Sequence, residues 1–170
     1  MLDVMVDSNV IYSGLVFRGK PARVLKAILD GKMRLIIPED QLEELYVLFR
    51  RKSPGSLYLL EAYLSLQRVK IVSAEKYLRN IKTALKLTRD KKDAPYVACA
   101  LLVKPKYLAT GDKDFQTETI KQRLNILTPG EFLTIIEKGK AEISNMVSED
   151  RKFDKVKEIK RIWVAPSAEK

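Results

Sequence analysis

The chain has 170 residues, a net charge of +10, no histidine and a single cysteine. The missing imidazole excludes Ser-His-Asp and Cys-His catalysis as well as His-ligated zinc. One cysteine excludes an intramolecular disulfide and a thiolate zinc site. Catalysis by carboxylates that hold a hard cation such as Mg²⁺ or Mn²⁺ remains open.

The composition is typical of a globular, water-soluble protein, with 46% hydrophobic and 32% charged residues. No apolar run reaches the roughly 20 residues that a membrane helix needs. The N-terminal stretch carries no basic region, so we expect no signal peptide. Cys99 lies in an apolar stretch and is predicted to be a buried structural thiol. A lone thiol fits the reducing cytoplasm, which is the expected location.

The positive charge is concentrated between residues 50 and 92. This segment holds three acids, Glu61, Glu75 and Asp90, against twelve basic residues. The basic residues are Arg50, Arg51, Lys52, Arg68, Lys70, Lys76, Arg79, Lys82, Lys86, Arg89, Lys91 and Lys92. Such a basic field favours a polyanion, above all nucleic acid. The alternative is a solvated surface rich in Lys and Glu, of the kind found in thermostable proteins.

Apolar runs and breakers predict alternating strands and helices. Strands are expected at 2–7, 34–37, 69–72, 107–110 and 125–127. Helices are expected from Pro21 to Gly31 and at about 40–52, 57–64, 75–87, 93–103, 115–123 and 129–138. A loop with Ser13-Gly14 and Arg18-Gly19-Lys20 is expected after the first strand. Strands separated by helices require crossover connections, so the sheet is predicted to be parallel.

Two predicted helices have distinctive surfaces. The helix near Asp40 begins with the spacing of a capping box, with Glu43 three residues later. Val47 and Leu48 lie opposite its main apolar face, which predicts that this helix is mostly buried. Residues 75–87 are predicted to form a basic amphipathic helix. Its apolar positions are Leu78, Ile81 and Leu85.

The polarity of the chain changes at residue 139. We therefore predict a domain over residues 1–138 and a C-terminal extension over 139–170 that is partly helical and frays at its end. Apolar residues recur at helical spacing after Ser148, a plausible N-cap. They are Phe153, Val156, Ile159 and Trp163. This helix is expected either to fold back on the domain or to bind another subunit or protein.

Four acids attract attention by their positions. Asp7 ends the first strand, Asp112 follows the fourth, and Asp93 opens a helix. Because strand ends and the helix N-termini that follow them meet at one edge of a parallel sheet, these three carboxylates are expected to converge. Glu44 lies in the helix predicted to be mostly buried. An unpaired carboxylate there would be costly unless a cation or Arg51 lies nearby.

Each acid also has a purely structural interpretation. Asp93 is a common type of N-cap before Ala-Pro. Asp112 fits a turn after Gly111, and Asp114 fits the N-cap of the next helix. Asp7 has the weakest structural explanation, because it directly follows a buried strand. Asn9, two residues later, is expected to orient Asp7, to contact waters on a metal, or to form a turn.

A cluster of these carboxylates would have a definite chemical meaning. Like charges at close range repel each other and raise their pKa values, and a divalent cation removes that cost. Mg²⁺ is typically held by one or two carboxylates and several waters. A water activated in this way attacks phosphorus, while a basic surface holds the nucleic-acid backbone. An acidic pocket in a basic protein is therefore what a metal-dependent nuclease needs.

Four segments together resemble the signature segments of PIN-domain proteins. They are Val6-Asp7-Ser8-Asn9-Val10-Ile11, Glu44-Leu45, Lys92-Asp93-Ala94-Pro95 and Thr110-Gly111-Asp112-Lys113-Asp114-Phe115. The similarity covers about residues 2–137. The resemblance implies a three-layer α/β/α sandwich around a central, mainly parallel five-stranded sheet. It also implies RNA cleavage that depends on Mg²⁺ or Mn²⁺.

The resemblance further implies roles for individual residues. The catalytic quartet would be Asp7, Glu44, Asp93 and Asp112. The metal would be held by Asp7, Asp93, Asp112 and Asp114, with Asn9 and Thr110 as supporting polar groups. Basic residues around these segments are expected to bind the substrate. They are Arg50, Arg51, Lys91, Lys92 and Lys113.

The resemblance also bears on partners. Many PIN-domain proteins are toxins held inactive by an antitoxin peptide, others process RNA, and many form dimers. We therefore expect an RNA substrate, a homo-oligomer and an antitoxin as a candidate partner. A catalytically silent RNA-binding or scaffold protein on the same fold is the alternative. Phosphatases of the haloacid-dehalogenase type need Asp-x-Asp where this chain has Asn9, receiver domains need a different arrangement of acids and lysine, and no P-loop is present.

Overall fold

The computed structural model describes residues 2–31 and 33–143, and within it no side chain of residue 116 or of residues 139–143 is described. The helix predicted after Ser148 lies outside these residues. The strands are β1 Leu2–Val6, β2 Met33–Pro38, β3 Val69–Val72, β4 Tyr107–Ala109 and β5 Ile126–Leu127. The helices are α1 Ser8–Val16, α2 Lys20–Asp30, α3 Glu39–Lys52, α4 Leu57–Leu64, α5 Ala74–Tyr77, α6 Ile81–Leu87, α7 Ala94–Val103, α8 Glu118–Lys121 and α9 Pro129–Ile143.

The five strands form one parallel sheet in the order β3-β2-β1-β4-β5. Val4 at the centre pairs with Leu35 on one side and Tyr107 on the other. From β1 the chain adds β2 and β3 on one side, and it then crosses to add β4 and β5 on the other side. Where the direction of strand addition changes in this way, the crossover connections leave a crevice beyond the C-terminal ends of the strands. The predicted parallel five-stranded α/β fold is confirmed.

Alternating strand residues feed two separate cores. Val4 and Val6 of β1 pack into the core shared with α1, α2, α3, α4 and α9. Met5, between them, packs on the other face with α5, α6 and α7. Successive side chains of a strand point to opposite faces, so a sheet covered on both sides is apolar at every position. The three layers predicted for the domain are therefore present.

Helix α1 occupies residues predicted to form a loop. Ser13 and Gly14, read as turn residues, lie inside Ser8–Val16, and the loop is limited to the residues between α1 and α2. Gly14 is buried where α1 crosses α2. An ideal Cβ at this position would stand 2.8 Å from Leu25 Cδ1 and 2.8 Å from the Pro21 carbonyl oxygen. The glycine therefore marks close helix packing rather than a turn.

The Gly14→Ala substitution is expected to lower the free energy of unfolding by about 1 kcal/mol. Overpacking against Pro21 costs about 1–3 kcal/mol, which exceeds the roughly 1 kcal/mol that alanine gains in a helix. Gly55→Ala is the matched control, because nothing lies within 4 Å of its added Cβ. Urea unfolding of both variants measures the difference. Equal stabilities would contradict the close packing.

Helix α3 begins differently from its prediction and is more exposed. Pro38, not Asp40, is the N-cap, and it makes no side-chain capping hydrogen bond, so the capping box is wrong. Asp40 instead accepts a hydrogen bond from the Tyr77 hydroxyl. Val47 is 61% exposed. The helix buries only one stripe, with Leu45 at its centre, and the prediction of a mostly buried helix is wrong.

The segment predicted as one helix over 75–87 is broken. A 3₁₀ turn at Leu78–Asn80 separates α5 from α6. The residues buried against α7 are Tyr77 and Ala84, whereas Leu78 and Leu85 are each 42% exposed. The assignment of Leu78 and Leu85 to the buried face is therefore wrong. The tighter 3₁₀ turn rotates the following helix relative to a continuous one.

The remaining differences are small. Residues 113–121 form a 3₁₀ turn and α8 instead of one helix over 115–123, and α9 runs to Ile143, past the predicted boundary at 138. Cys99 is fully buried, as predicted, and burial raises the pKa of its thiol to about 12. Within residues 2–31 and 33–143, no helix combines the length and apolarity needed to cross a membrane.

Candidate active site

A cavity of about 360 Å³ opens beyond the C-terminal ends of β1, β2 and β4. We call it the acid cleft. Its lining consists of five carboxylates, one amine, several neutral polar groups and two apolar side chains. They are Asp7, Ser8, Asn9, Asp40, Gln41, Glu44, Lys92, Asp93, Pro95, Tyr96, Asp112 and Phe115. All four acids of the predicted quartet are in this set, and Asp114 is not.

Asp7 is held in place by the backbone of two elements. It is the N-cap of α1, and its Oδ1 accepts a hydrogen bond from the Val10 backbone N–H at 2.9 Å. Its Oδ2 accepts another from the Gly111 backbone N–H, at 3.2 Å. The carboxylate therefore joins the end of β1 to the segment after β4. Asn9 lies in the first turn of α1, so the turn proposed for it is wrong, and Asp7 is oriented by these backbone groups.

Glu44 is exposed, contrary to the prediction. The Ser8 hydroxyl donates a hydrogen bond to its Oε2 at 2.5 Å. Ser8 itself is 5% exposed, so the packing around it holds its hydroxyl in place for this hydrogen bond. Among the described residues Glu44 forms no ion pair with Arg51. Solvent and the Ser8 hydroxyl, rather than a nearby arginine, therefore stabilise the Glu44 carboxylate.

Asp93 is the least compensated acid of the acid cleft. It occupies the N-cap position of α7, as its structural interpretation predicts, but its side chain makes no capping hydrogen bond. Burial raises the pKa of Asp93 to about 6, with further increments from the negative charges of Asp90, Asp112, Asp114 and Glu44. Unlike Asp7, this carboxylate has repulsion without hydrogen bonds to offset it.

Asp112 lies in a turn, as its structural interpretation required, and also faces the acid cleft. Its Oδ1 accepts from the Asp114 backbone N–H at 2.9 Å. Thr110, fully buried, accepts a hydrogen bond from the Asp112 backbone N–H at 3.0 Å. Thr110 therefore contacts the backbone of one residue of the predicted quartet. Asp114 lies beside the acid cleft with Oδ1 4.0 Å from the Arg89 guanidinium, and it caps no helix.

The predicted substrate-binding cations surround the acid cleft unequally. Lys92 lines it. Lys91 and Lys113 are exposed on the two 3₁₀ turns that carry Asp93 and Asp114. Arg50 and Arg51 are exposed in the last turn of α3, where Arg50 lies 5.6 Å from the centre of the Tyr46 ring. Lys92 is therefore the one predicted cation on the cavity wall.

Sequence reasoning did not place four polar residues in the acid cleft: Ser8, Asp40, Gln41 and Tyr96. Gln41 is 4% exposed and donates to the Val6 carbonyl at 2.6 Å. Its Oε1 and the Tyr96 hydroxyl are both buried and have no hydrogen-bond partner among the described residues. A sequence signal existed for Gln41, because it falls on the same helical stripe as Leu45 and Leu48. Tyr96, three residues after Asp93, carries no such signal in the sequence.

The oxygen ligands of the acid cleft suit a hard cation that keeps several bound waters better than a cation bound by protein groups alone. The groups present are carboxylate oxygens, which Mg²⁺ and Mn²⁺ prefer. Within the described residues no three His, Cys, Asp or Glu side chains stand close enough to hold one ion. Mg²⁺ usually keeps several waters and takes one or two carboxylates. The orphaned Gln41 oxygen could accept a hydrogen bond from such a water.

A solved structure with a similar fold agrees with this architecture. A chain in the structure of VapBC2 from Rickettsia felis bound to a DNA fragment from their promoter superposes with a TM-score of 0.54 and 19% identity, covering 75% of this chain and 98% of that chain. A chain in FitAcB from Neisseria gonorrhoeae gives a TM-score of 0.49 and 15% identity, with the same coverages. Comparison with curated proteins gave no match.

A sequence model of the PIN domain matches residues 3–114. The matched segment runs from β1 to the turn after β4, so it contains every residue of the predicted quartet. The segment covers well over half of the chain, and the fold beyond it completes the same sheet. The chain therefore belongs to the PIN-domain family.

Proposed function

We propose that this protein is a metal-dependent endoribonuclease that hydrolyses RNA phosphodiesters in the acid cleft. The observation that carries the proposal is a group of five carboxylates that line one cavity in a protein of net charge +10. Asp93 is the clearest case, because its pKa is raised to about 6 by burial and by neighbouring acids. A protein tolerates such a group when a cation is bound there during function.

One or two of Asp7, Asp93 and Asp112 would hold Mg²⁺ or Mn²⁺ directly and the rest would bind its waters, with Glu44 completing the quartet. We assign Asp114 a secondary place among the metal-binding residues, since it lies outside the cavity wall. When bound, the cation would lower the pKa of a coordinated water and offset charge on the phosphate.

The remaining steps belong to the chain's own groups. Asp7 stays fixed because two backbone N–H groups hold its oxygens, and this rigidity favours catalysis. The Thr110 hydroxyl accepts from the backbone N–H of Asp112, and the Ser8 hydroxyl donates to the carboxylate of Glu44, so each would help to position its partner. Lys92 would bind a phosphate at the mouth of the acid cleft. Arg50, Arg51, Lys91 and Lys113 would hold the RNA backbone farther out, and Asn9 would support the metal's waters.

A catalytically silent RNA-binding or scaffold protein on this fold is the second candidate. One observation favours it: no three carboxylates of the described residues meet the geometry of a metal site. Binding of RNA would then depend on the basic surface alone. The two candidates make opposite predictions for chelation, because only an enzyme loses its activity when the cation is removed.

The PIN-domain resemblance also suggests a biological setting. We propose that the protein acts in the cytoplasm as a dimer or larger homo-oligomer, and that an antitoxin peptide regulates it if it is a toxin. We also propose that the chain divides into a nuclease domain over 1–138 and an extension over 139–170. An adjacent gene for a small DNA-binding protein would support the toxin role over an RNA-processing role.

The test is incubation of the pure protein with a panel of structured and unstructured RNAs. We expect cleavage with Mg²⁺ or Mn²⁺ and none with EDTA, with activity restored by excess cation. Cleavage that persists in EDTA would contradict the metal mechanism. RNA binding without cleavage under every cation condition would support the silent candidate.

A further inference from the structure

A basic surface outside the acid cleft is not explained by folding. Residues 76–89 contain five cations and no acid. We call them the basic strip: Lys76, Arg79, Lys82, Lys86 and Arg89. All five side chains belong to exposed residues. The strip covers α5, the 3₁₀ turn after it, α6 and the residues that lead to Asp93.

The charges of the basic strip are mostly uncompensated. Among the described residues, Lys76, Lys82 and Lys86 form no ion pair, whereas other surface cations such as Arg23 and Arg34 do. Lys82 and Lys86 are four residues apart on one helix, where like charges destabilise by about 0.2–0.5 kcal/mol. A thermostable-type surface would alternate Lys with Glu. The basic strip instead carries Lys and Arg with no Glu or Asp between them.

The exposed leucines give a second indication. Leu78 and Leu85 are each 42% exposed and lie next to Arg79 and Lys86 in the chain. Apolar and cationic groups in one exposed strip suit a ligand with both charged and apolar surface. Single-stranded RNA has this character, because its backbone is anionic and its bases are unstacked and accessible.

The position of the basic strip relative to the acid cleft is fixed. The strip is anchored on α7 by buried Tyr77 and Ala84 and by the Asn80 side-chain amide, which donates to the Ala98 carbonyl at 3.4 Å. Its last cation, Arg89, lies 4.0 Å from the Asp114 carboxylate. Three residues beyond Arg89 is Lys92, which lines the acid cleft.

From these observations we infer that the basic strip binds the backbone of single-stranded RNA and guides it into the acid cleft. This inference rests on the proposed function and extends it. Charge attraction would hold the phosphates on one side of the bond to be cut. The acids of the acid cleft repel the same backbone until a cation is bound. The strip therefore supplies affinity that the acid cleft lacks.

The inference is tested by binding rather than by cleavage. The strip variant is Lys82→Gln/Lys86→Gln. Its control is Lys106→Gln/Arg123→Gln, which removes the same charge from two exposed residues. The control residues lie before β4 and β5, at the N-terminal ends of the strands, whereas the acid cleft lies at the C-terminal ends. Both pairs are made in an Asp7→Asn full-length chain with EDTA, so that RNA stays intact. The probe is a fluorescent single-stranded oligoribonucleotide, and anisotropy gives Kd over a salt series.

We expect the strip variant to bind about tenfold more weakly and to lower the slope of log K against log salt by about 1.4, because each phosphate contact on a single strand contributes about 0.7. The control pair should bind like its parent. Equal Kd values and salt slopes for the two pairs would overturn the inference and would direct attention to an acidic protein segment as the strip's ligand.

Cleavage assays separate this inference from the proposed function. In the otherwise wild-type chain, the strip variant should raise KM with little change in kcat, which is the signature of lost binding. If the protein cleaves RNA but the strip variant binds like the control, the inference fails and the function stands. If no RNA is cleaved but binding still depends on the strip, the function fails and the inference stands.

Discussion

Asp7→Asn is expected to lower kcat/KM for RNA cleavage by about 10³-fold or more, because the substitution removes the charge that anchors the proposed cation. A loss of this size is about 4 kcal/mol of transition-state stabilisation. Steady-state cleavage of the best RNA found in the panel measures it. Added Mn²⁺ should recover little activity, since an amide oxygen is a weaker ligand for a hard cation.

The fold should survive this substitution. Asn is as good an N-cap as Asp, so the hydrogen bond from the Val10 N–H is retained. The Gly111 N–H loses a charged acceptor, which costs about 1–2 kcal/mol. Glu61→Gln is the matched control, because it removes one exposed negative charge on α4. If Asp7→Asn and Glu61→Gln cleave RNA equally well, Asp7 has no catalytic role.

Asp93→Asn is expected to stabilise the metal-free protein while it abolishes cleavage. The pKa of Asp93 is raised from 3.8 to about 6, so the folded state binds more protons than the unfolded state between these values. The free energy of unfolding therefore falls as pH rises through this window. The shift alone corresponds to about 3 kcal/mol, and screening at this half-exposed carboxylate reduces the expected gain to about 1 kcal/mol.

Urea unfolding in EDTA at several pH values measures this effect. The advantage of Asp93→Asn should be full above about pH 7, should shrink as the pH falls through 6 and 4, and should disappear near pH 3, where wild-type Asp93 is protonated in both states. Excess Mg²⁺ should reverse the order, because a ligand that binds the folded state stabilises only the protein that retains its site. A variant less stable than wild type at pH 8 in EDTA would contradict the proposed repulsion.

The sequence was sufficient for the sheet and for the convergence of the acids. Asp7 and Asp112 follow parallel strands, and topology alone brings such ends together. Helix α1 was missed because Ser13-Gly14 reads as a turn, whereas Gly14 is required by the close crossing with α2. Tertiary packing overrode local propensity there.

Other features of the basic strip and of the acid cleft depend on three-dimensional detail. The exposure of Leu78 and Leu85 follows from a 3₁₀ turn that no periodicity revealed. The orphaned oxygens of Gln41 and Tyr96 are recognisable only when every neighbour is known. Whether Glu44 is buried or exposed likewise depended on how far α3 turns toward solvent.

The central claim is that the carboxylates of the acid cleft hold a divalent cation. Anomalous diffraction from crystals soaked in Mn²⁺ tests it most directly. We predict a manganese peak within the acid cleft, next to Asp7, Asp93 and Asp112, and no peak there in crystals of Asp93→Asn. Manganese bound only at other surfaces, or a cleft without a peak at saturating Mn²⁺, would contradict the claim.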